Sequence, residues 1–151
     1  MNKSLDSDTK TTTLAKINSH NPSQELWNKL LVGLGKVTTD DEPLPYALIL
    51  KICGLHDALW ATRTEDDFEW VRKLAIVYAK RAQRRFRSLR GLEKLRKIIS
   101  EDTERVRSSK SASSCSFYTC CIADFSAVSL VDDKPDAIER EWQEAEFLKF
   151  V

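Results

Sequence analysis

The sequence predicts an all-α protein, a single-domain bundle of six or seven helices. Three observations carry that expectation. Apolar residues recur at three- and four-residue spacing through most of the chain, no stretch alternates in the manner of a β-hairpin, and only four Gly and four Pro interrupt 151 residues. That length suits one sizeable core, and a composition of 42% hydrophobic and 31% charged residues supplies both the apolar surface to build it and the charge to keep it dissolved.

Met1 to His20 consists mainly of Ser, Thr, Asp, Asn and Lys with scattered apolar residues, which assigns residues 1–20 to a flexible N-terminal segment and 21–151 to a helical domain. Asn21-Pro22-Ser23-Gln24 reads as a helix start, with Asn21 as cap and Pro22 in the first turn, and Leu26, Trp27, Leu30, Leu31, Leu34 and Val37 form the inner stripe of the helix that follows. Acids and a proline in Asp40-Asp41-Glu42-Pro43 open a second helix to about Cys53, apolar nearly all round. Gly54 should end it in a left-handed conformation, after which Leu55 to Arg63 makes two more turns.

Thr64-Glu65-Asp66-Asp67 has the form of a capping box and introduces the clearest helix in the chain. Phe68, Val71, Ala75, Tyr78, Ala79, Ala82 and Phe86 share one face of it, while Lys73, Lys80, Arg84 and Arg87 share another. Ser88 can cap a further helix carrying Leu89, Leu92, Leu95 and Ile98 or Ile99. Ser100 to Leu130 is rich in Ser, Thr and Cys, weak helix formers, yet Phe117, Cys120, Cys121, Phe125 and Val128 keep the helical repeat. A strand near Phe117 to Ile122 is the alternative, and no partner strand is evident. Asp132 to Pro135 reads as a turn, and Ile138, Trp142, Ala145 and Leu148 or Phe150 as the inner face of a final acidic helix.

A formal net charge of +1 conceals a strong asymmetry. Fourteen Lys or Arg face four acids between Val71 and Lys110, whereas Asp124 to Val151 holds eight acids and three bases. The tract Lys80, Arg81, Arg84, Arg85, Arg87, Arg90, Lys94, Arg96 and Lys97 therefore forms a dense positive surface suited to acidic proteins or to phosphates. Its bland counterpart is a solvated helix face, or pairing with the chain's own C-terminal helix through Glu139, Glu141, Glu144 or Glu146.

Few chemistries have the residues they need. Two histidines and four irregularly spaced cysteines form no zinc pattern, and Gly33, Gly35, Gly54 and Gly91 form no phosphate loop. The expectation is a chain without metal or cofactor, whose cysteines are reduced and mostly buried. Any enzymatic role would rest on a thiol at Cys120 or Cys121. His56 and Asp57 read as a cap and a buried polar partner. Trp27, Trp60 and Trp142 read as core, while Trp70 falls off its helix's apolar stripe and reads either as an exposed interface anchor or as a ring packed under another helix. No run approaches the roughly 20 apolar residues of a membrane span, and the first twenty residues lack a secretory stretch, which predicts a cytoplasmic protein with no membrane partner.

Gly54-Leu55-His56-Asp57-Ala58-Leu59-Trp60-Ala61-Thr62-Arg63 followed by Leu74-Ala75-Ile76-Val77-Tyr78-Ala79-Lys80-Arg81, together with the closing Glu144-Ala145-Glu146-Phe147-Leu148-Lys149, resembles a family of small helical proteins of bacteria and their phages, some described as immunity proteins. The chain departs from that family at Ser108 to Leu130, where the family carries a long Ala- and Trp-rich helix. The resemblance implies a helical fold and a phage or mobile-element setting, and it supplies no catalytic residue.

The expected function is non-enzymatic: a phage or mobile-element accessory protein in the host bacterial cytosol that binds and blocks a host or defence protein, as an anti-CRISPR or an immunity protein does. The expected contact residues are Trp70, Lys73, Lys80, Arg81, Arg84, Arg85, Arg87, Arg90, Lys94 and Lys97, facing an acidic partner surface. The alternative is a nucleic-acid-associated protein using the tract 80–97. Ala47 to Thr62 superficially resembles a helix-turn-helix, but its second helix, with His56, Asp57, Ala58, Leu59, Trp60 and Ala61, has few polar groups to read base edges.

Overall fold

Eight α-helices and one short 3₁₀ turn build the protein in the computed structural model, which describes residues 9–87, 91–128 and 136–151. The all-α class expected from the apolar spacing is what forms. The chain opens with β1 (Thr11–Thr12) and α1 (Leu14–Ser19), the latter capped by Thr13, whose hydroxyl accepts from Lys16 N at 3.1 Å. Leu14 and Ile17 of α1 are fully buried, so the core begins ahead of Asn21 and includes part of the stretch expected to be mobile. Two apolar side chains three apart are enough to anchor one and a half turns against the domain.

Helix α2 (Gln24–Leu34) is capped by Ser23 and not by Asn21, which has a positive φ of 53°. It ends at Gly35 in the left-handed conformation, and Val37, beyond that stop, is exposed. The expected second helix is shorter at its start, because Leu44–Pro45 forms β2, antiparallel to β1, before α3 (Tyr46–Cys53) begins. Gly54 separates α3 from α4 (Leu55–Ala61), with φ 89° and ψ 175°. That conformation is open essentially only to glycine and differs from the left-handed helical one expected, so the chain turns a corner here.

A 3₁₀ turn, Thr62–Thr64, leads into α5 (Glu69–Phe86), which starts four residues later than the capping-box pattern predicts. Thr64 is occupied elsewhere: its hydroxyl lies 2.7 Å from that of Thr12 and 3.0 Å from that of Tyr46, and donates to Ala61 O. Val71, Ala75, Tyr78, Ala79, Ala82 and Phe86 are buried as the stripe requires. Helix α6 (Glu93–Ser108) has Leu92 at its N-cap position, and the expected cap Ser88 and Leu89 lie outside the described residues.

The segment from Ser100 divides between two helices: its first residues close α6 at Ser108, and after a break at 109–111 the Ser- and Cys-rich part forms α7 (Ala112–Ser126), packed against α4, α5 and α6. It is a helix and not the alternative strand. Its buried face is Cys115, Ser116, Thr119, Cys120, Ile122, Ala123 and Ser126, a set of small residues that lets neighbouring backbones come close. The buried hydroxyls are satisfied locally: Thr119 donates to Cys115 O at 2.8 Å, Ser126 to Ile122 O at 2.5 Å, and Ser116 reaches across to Leu59 O at 2.7 Å. Phe117 and Val128, expected to face inward, are exposed instead, since the small-residue face takes the interior.

Helix α8 (Ala137–Phe150) docks against α5 by an unexpected face. Glu139, Gln143 and Phe147 are buried, while Ile138 and Leu148 stand in solvent. Gln143 explains the rotation: its amide donates to Ala123 O at 2.9 Å, its side-chain oxygen accepts from Arg140 at 2.8 Å, and its carbonyl accepts from Tyr78 at 2.8 Å. Polar groups with fixed partners outweigh the weak apolar pattern of this helix. The Asp132 to Pro135 turn lies outside the described residues.

Arg72 fastens α5 to the end of α6. Its guanidinium donates to the carbonyls of Val106, of Arg107 at 2.8 Å and of Ser109 at 3.0 Å, at the helix end, where no following turn supplies its N–H groups. Arg72→Ala should cost about 2–3 kcal/mol, lowering the melting temperature by roughly 5–10 °C. Thermal denaturation followed by circular dichroism checks this, and an unchanged melting point would show the carbonyls to be equally well served by water.

Candidate functional site

On α5 a rise of about 1.5 Å and a turn of 100° per residue place Lys73, Lys80, Arg84 and Arg87 along one line opposite the buried stripe, spanning roughly 21 Å. All four are exposed, and none has an ion-pair or hydrogen-bond partner among the described residues. Lys94 of α6 is likewise exposed and unpaired, and Lys97 lies 3.8 Å from Glu101. Arg90 lies outside the described residues.

Two cations of the expected set are turned inward. Arg81 stacks on Trp142 at 4.6 Å and donates to Glu139 at 3.2 Å. Arg85 donates to Asp136 at 2.6 Å and to Ser126 O at 2.7 Å, so one guanidinium joins the last turn of α7 to the N-cap of α8. Both ends are electrostatically suited, since cations favour a helix C-terminus and Asp136 favours an N-terminus. Asp136 also accepts from Glu139 N at 3.0 Å, and that bond together with Arg85 holds its carboxyl below the ordinary value. The acidic-helix pairing weighed in the sequence therefore claims Arg81 and Arg85, and they leave the exposed set. The cleft they border, of about 420 Å³, is lined also by Arg84, Asp136, Ile138 and Glu139. Glu139 is buried, and one of its carboxylate oxygens has no hydrogen-bond partner among the described residues.

Trp70 is a further correction: it is only 7% exposed. It lies off the main stripe because a second layer covers the start of α5. Its indole N–H donates to Glu65 at 3.0 Å, and its ring packs between Tyr46 at 5.7 Å and Phe147 at 6.2 Å. Tyr46 donates to the other oxygen of Glu65 at 2.7 Å, so Trp70 belongs to a structural aromatic cluster.

A second cleft, of about 290 Å³, opens between α4 and α7. Trp60 and Phe117 form its aromatic walls, with Phe117 55% exposed and packed edge-on against Tyr118 at 5.1 Å. Arg63 lies over the Trp60 ring at 4.0 Å and donates through Nε to Trp60 O at 3.0 Å. Its terminal nitrogens have no acceptor among the described residues, and burial lowers its pKa. On the opposite rim His56 Nδ1 sits 3.3 Å from Asp124, whose other oxygen accepts from Arg140 at 2.8 Å. His56 thus pairs with Asp124 and not with Asp57, which lies 3.7 Å from Lys29. Sequence reasoning missed this site because its rim comes from helices separated by more than fifty residues; the only local signal is an aromatic pair on a helix otherwise made of small residues.

The cleft's thiols are in the wrong state for nucleophilic work. Burial pushes the Cys120 thiol up to about 12 and raises Cys121 as well, whereas a reactive cysteine needs a lowered value. Among the described residues no group of three or more His, Cys, Asp or Glu is arranged to hold a metal. The cleft also presents guanidinium, indole and phenyl surfaces of the kind that dominate binding energy at protein interfaces.

The hydrogen bond to Asp124 raises the pKa of His56, while at Asp124 burial pushes upward but the bonds from His56 and Arg140 prevail and hold the carboxyl below its usual value. A raised histidine pKa stabilises the fold fully below the unfolded value of about 6.5 and loses that contribution as pH rises through the folded value. Asp124→Asn should bring the His56 titration midpoint down and flatten the stability difference between pH 5.5 and 8. Imidazole NMR titration with thermal melts at both pH values checks this, and an unmoved His56 midpoint would contradict it.

Family models, curated proteins and solved structures were all compared with the chain, and none matches it.

Proposed function

We propose that this chain is a non-enzymatic accessory protein of a phage or other mobile element, which binds a host or defence protein and blocks it by stoichiometric association. The observation that carries the reading is the line Lys73, Lys80, Arg84 and Arg87, four cations on one helix face without a counter-charge among the described residues. An isolated solvated face usually mixes signs to form i,i+4 pairs, as Lys29 and Glu25 do on α2. Here the neighbouring arginines with a structural task, Arg81 and Arg85, have acidic partners, and the outward ones do not. Such a ridge steers an acidic surface toward the protein and sets its register. The phage or mobile-element setting rests on the resemblance at residues 54–81 and the C-terminus.

A tagged chain incubated with bacterial lysate should retain a protein partner, and K80E/R84E/R87E should reduce that retention about tenfold or more through a slower encounter. Failure of the wild type to retain any protein above background would end this proposal.

The same ridge supports a second reading, contact with nucleic-acid phosphates. It predicts a steep salt dependence, a slope of log K against log salt of about −0.9 per phosphate engaged, reduced in magnitude by roughly 2–3 in the triple variant. Fluorescence anisotropy with single- and double-stranded oligonucleotides measures it, and no binding at low salt would remove this reading.

A further inference from the structure

We infer that the cleft between α4 and α7 is a recognition pocket for a carboxylate side chain of a partner protein, with Arg63 as its anchor and Trp60 and Phe117 as its walls. The inference deepens the proposed function and rests on the chain acting by binding an acidic protein. Three observations lead to it.

The first is charge. Arg63 is half-buried with its planar face on Trp60 at 4.0 Å, yet neither terminal nitrogen finds an acceptor among the described residues. A guanidinium taken partly out of water normally has a carboxylate, and the terminal nitrogens form a fork shaped for one. The acid lining the same cleft, Asp124, pairs with His56 and Arg140 and makes no ion pair with Arg63. Pairing of Asp124 with two basic groups leaves the cleft open to a further negative charge.

The second is shape. About 290 Å³ lies at the lower edge of the range for small-molecule pockets, roughly 300–1,000 Å³, which favours one inserted side chain over a larger free ligand. The third is composition. Trp60, Phe117 and Arg63, which line the cleft together, include residue types enriched among the side chains that dominate binding energy at interfaces, and Phe117 presents an exposed apolar ring that a partner could cover. The pocket therefore expects Asp or Glu flanked by an apolar or aromatic residue.

Panning a displayed random peptide library on the full-length protein tests this. Selected peptides should be enriched in Asp or Glu next to an apolar residue, and their synthetic counterparts should lose about tenfold or more in affinity when the acid is changed to its amide. R63Q should cause a similar loss and R63K a partial one, since lysine keeps the charge without the fork. F117S, a change at an exposed ring that the core does not use, should also weaken binding while leaving the melting temperature in place. K80E/R84E/R87E should leave peptide binding at the cleft largely intact. Peptides lost only in that triple variant would overturn the pocket while sustaining the ridge. Selected peptides without an acidic preference, equal binding by R63Q, preferential binding of nucleic acid at the cleft, or no enrichment at all would each overturn the pocket assignment. The lysate retention experiment judges the underlying binding reading separately.

Discussion

Hydroxyl groups buried on α7 must find acceptors inside the protein, and one of them, that of Ser116, joins α7 to α4 in doing so. A hydroxyl removed from water without a hydrogen bond costs about 1–3 kcal/mol on protein scales. Ser116, Thr119 and Ser126 avoid the cost by donating to Leu59 O, Cys115 O and Ile122 O. Because these side chains are small and satisfied, α7 can sit among α4, α5 and α6 as a central strut. Leu59, at the end of α4, is thereby fixed to α7, and the cleft that holds Arg63 and Phe117 forms along that joint.

The arginines of α5 divide by the same logic. Arg72, Arg81 and Arg85 each reach a neighbouring helix and neutralise something that would otherwise be exposed or orphaned: the final carbonyls of α6, the carboxylate of Glu139, and the junction of α7 with α8. Lys73, Lys80, Arg84 and Arg87 are on the remaining face and bond to nothing among the described residues. One helix therefore fastens the bundle with some cations and presents others to solvent. Buried Glu139, the partner of Arg81, keeps one carboxylate oxygen without a hydrogen bond among the described residues.

Much of the fold was legible in the residues, and the reasons are local. The α5 stripe and its opposite cationic line follow from 3.6-residue periodicity, and the helix break at Gly54 was expected, whereas the stop at Gly35, ahead of Val37, was not. The ionic ridge was readable too, since four cations at helical spacing share a face whatever they touch. Other features were not. Trp70 departs from its stripe and is nevertheless covered, because β1, β2 and Phe147 add a layer that no single helix can announce. Helix α8 rotated away from its own apolar pattern to place Gln143 among fixed carbonyls.

By itself, then, the sequence determined the helical class and which cations share the outer line of α5, since these depend on the spacing of neighbours along one helix. Tertiary structure alone decided which arginines are consumed internally, which face of α8 is dry, and that His56, Arg63, Phe117 and Asp124 share one cleft. The physical reason is range. Periodicity reports on contacts within a turn or two, while the partner of a buried polar group is chosen by whichever distant segment brings a matching atom within about 3 Å.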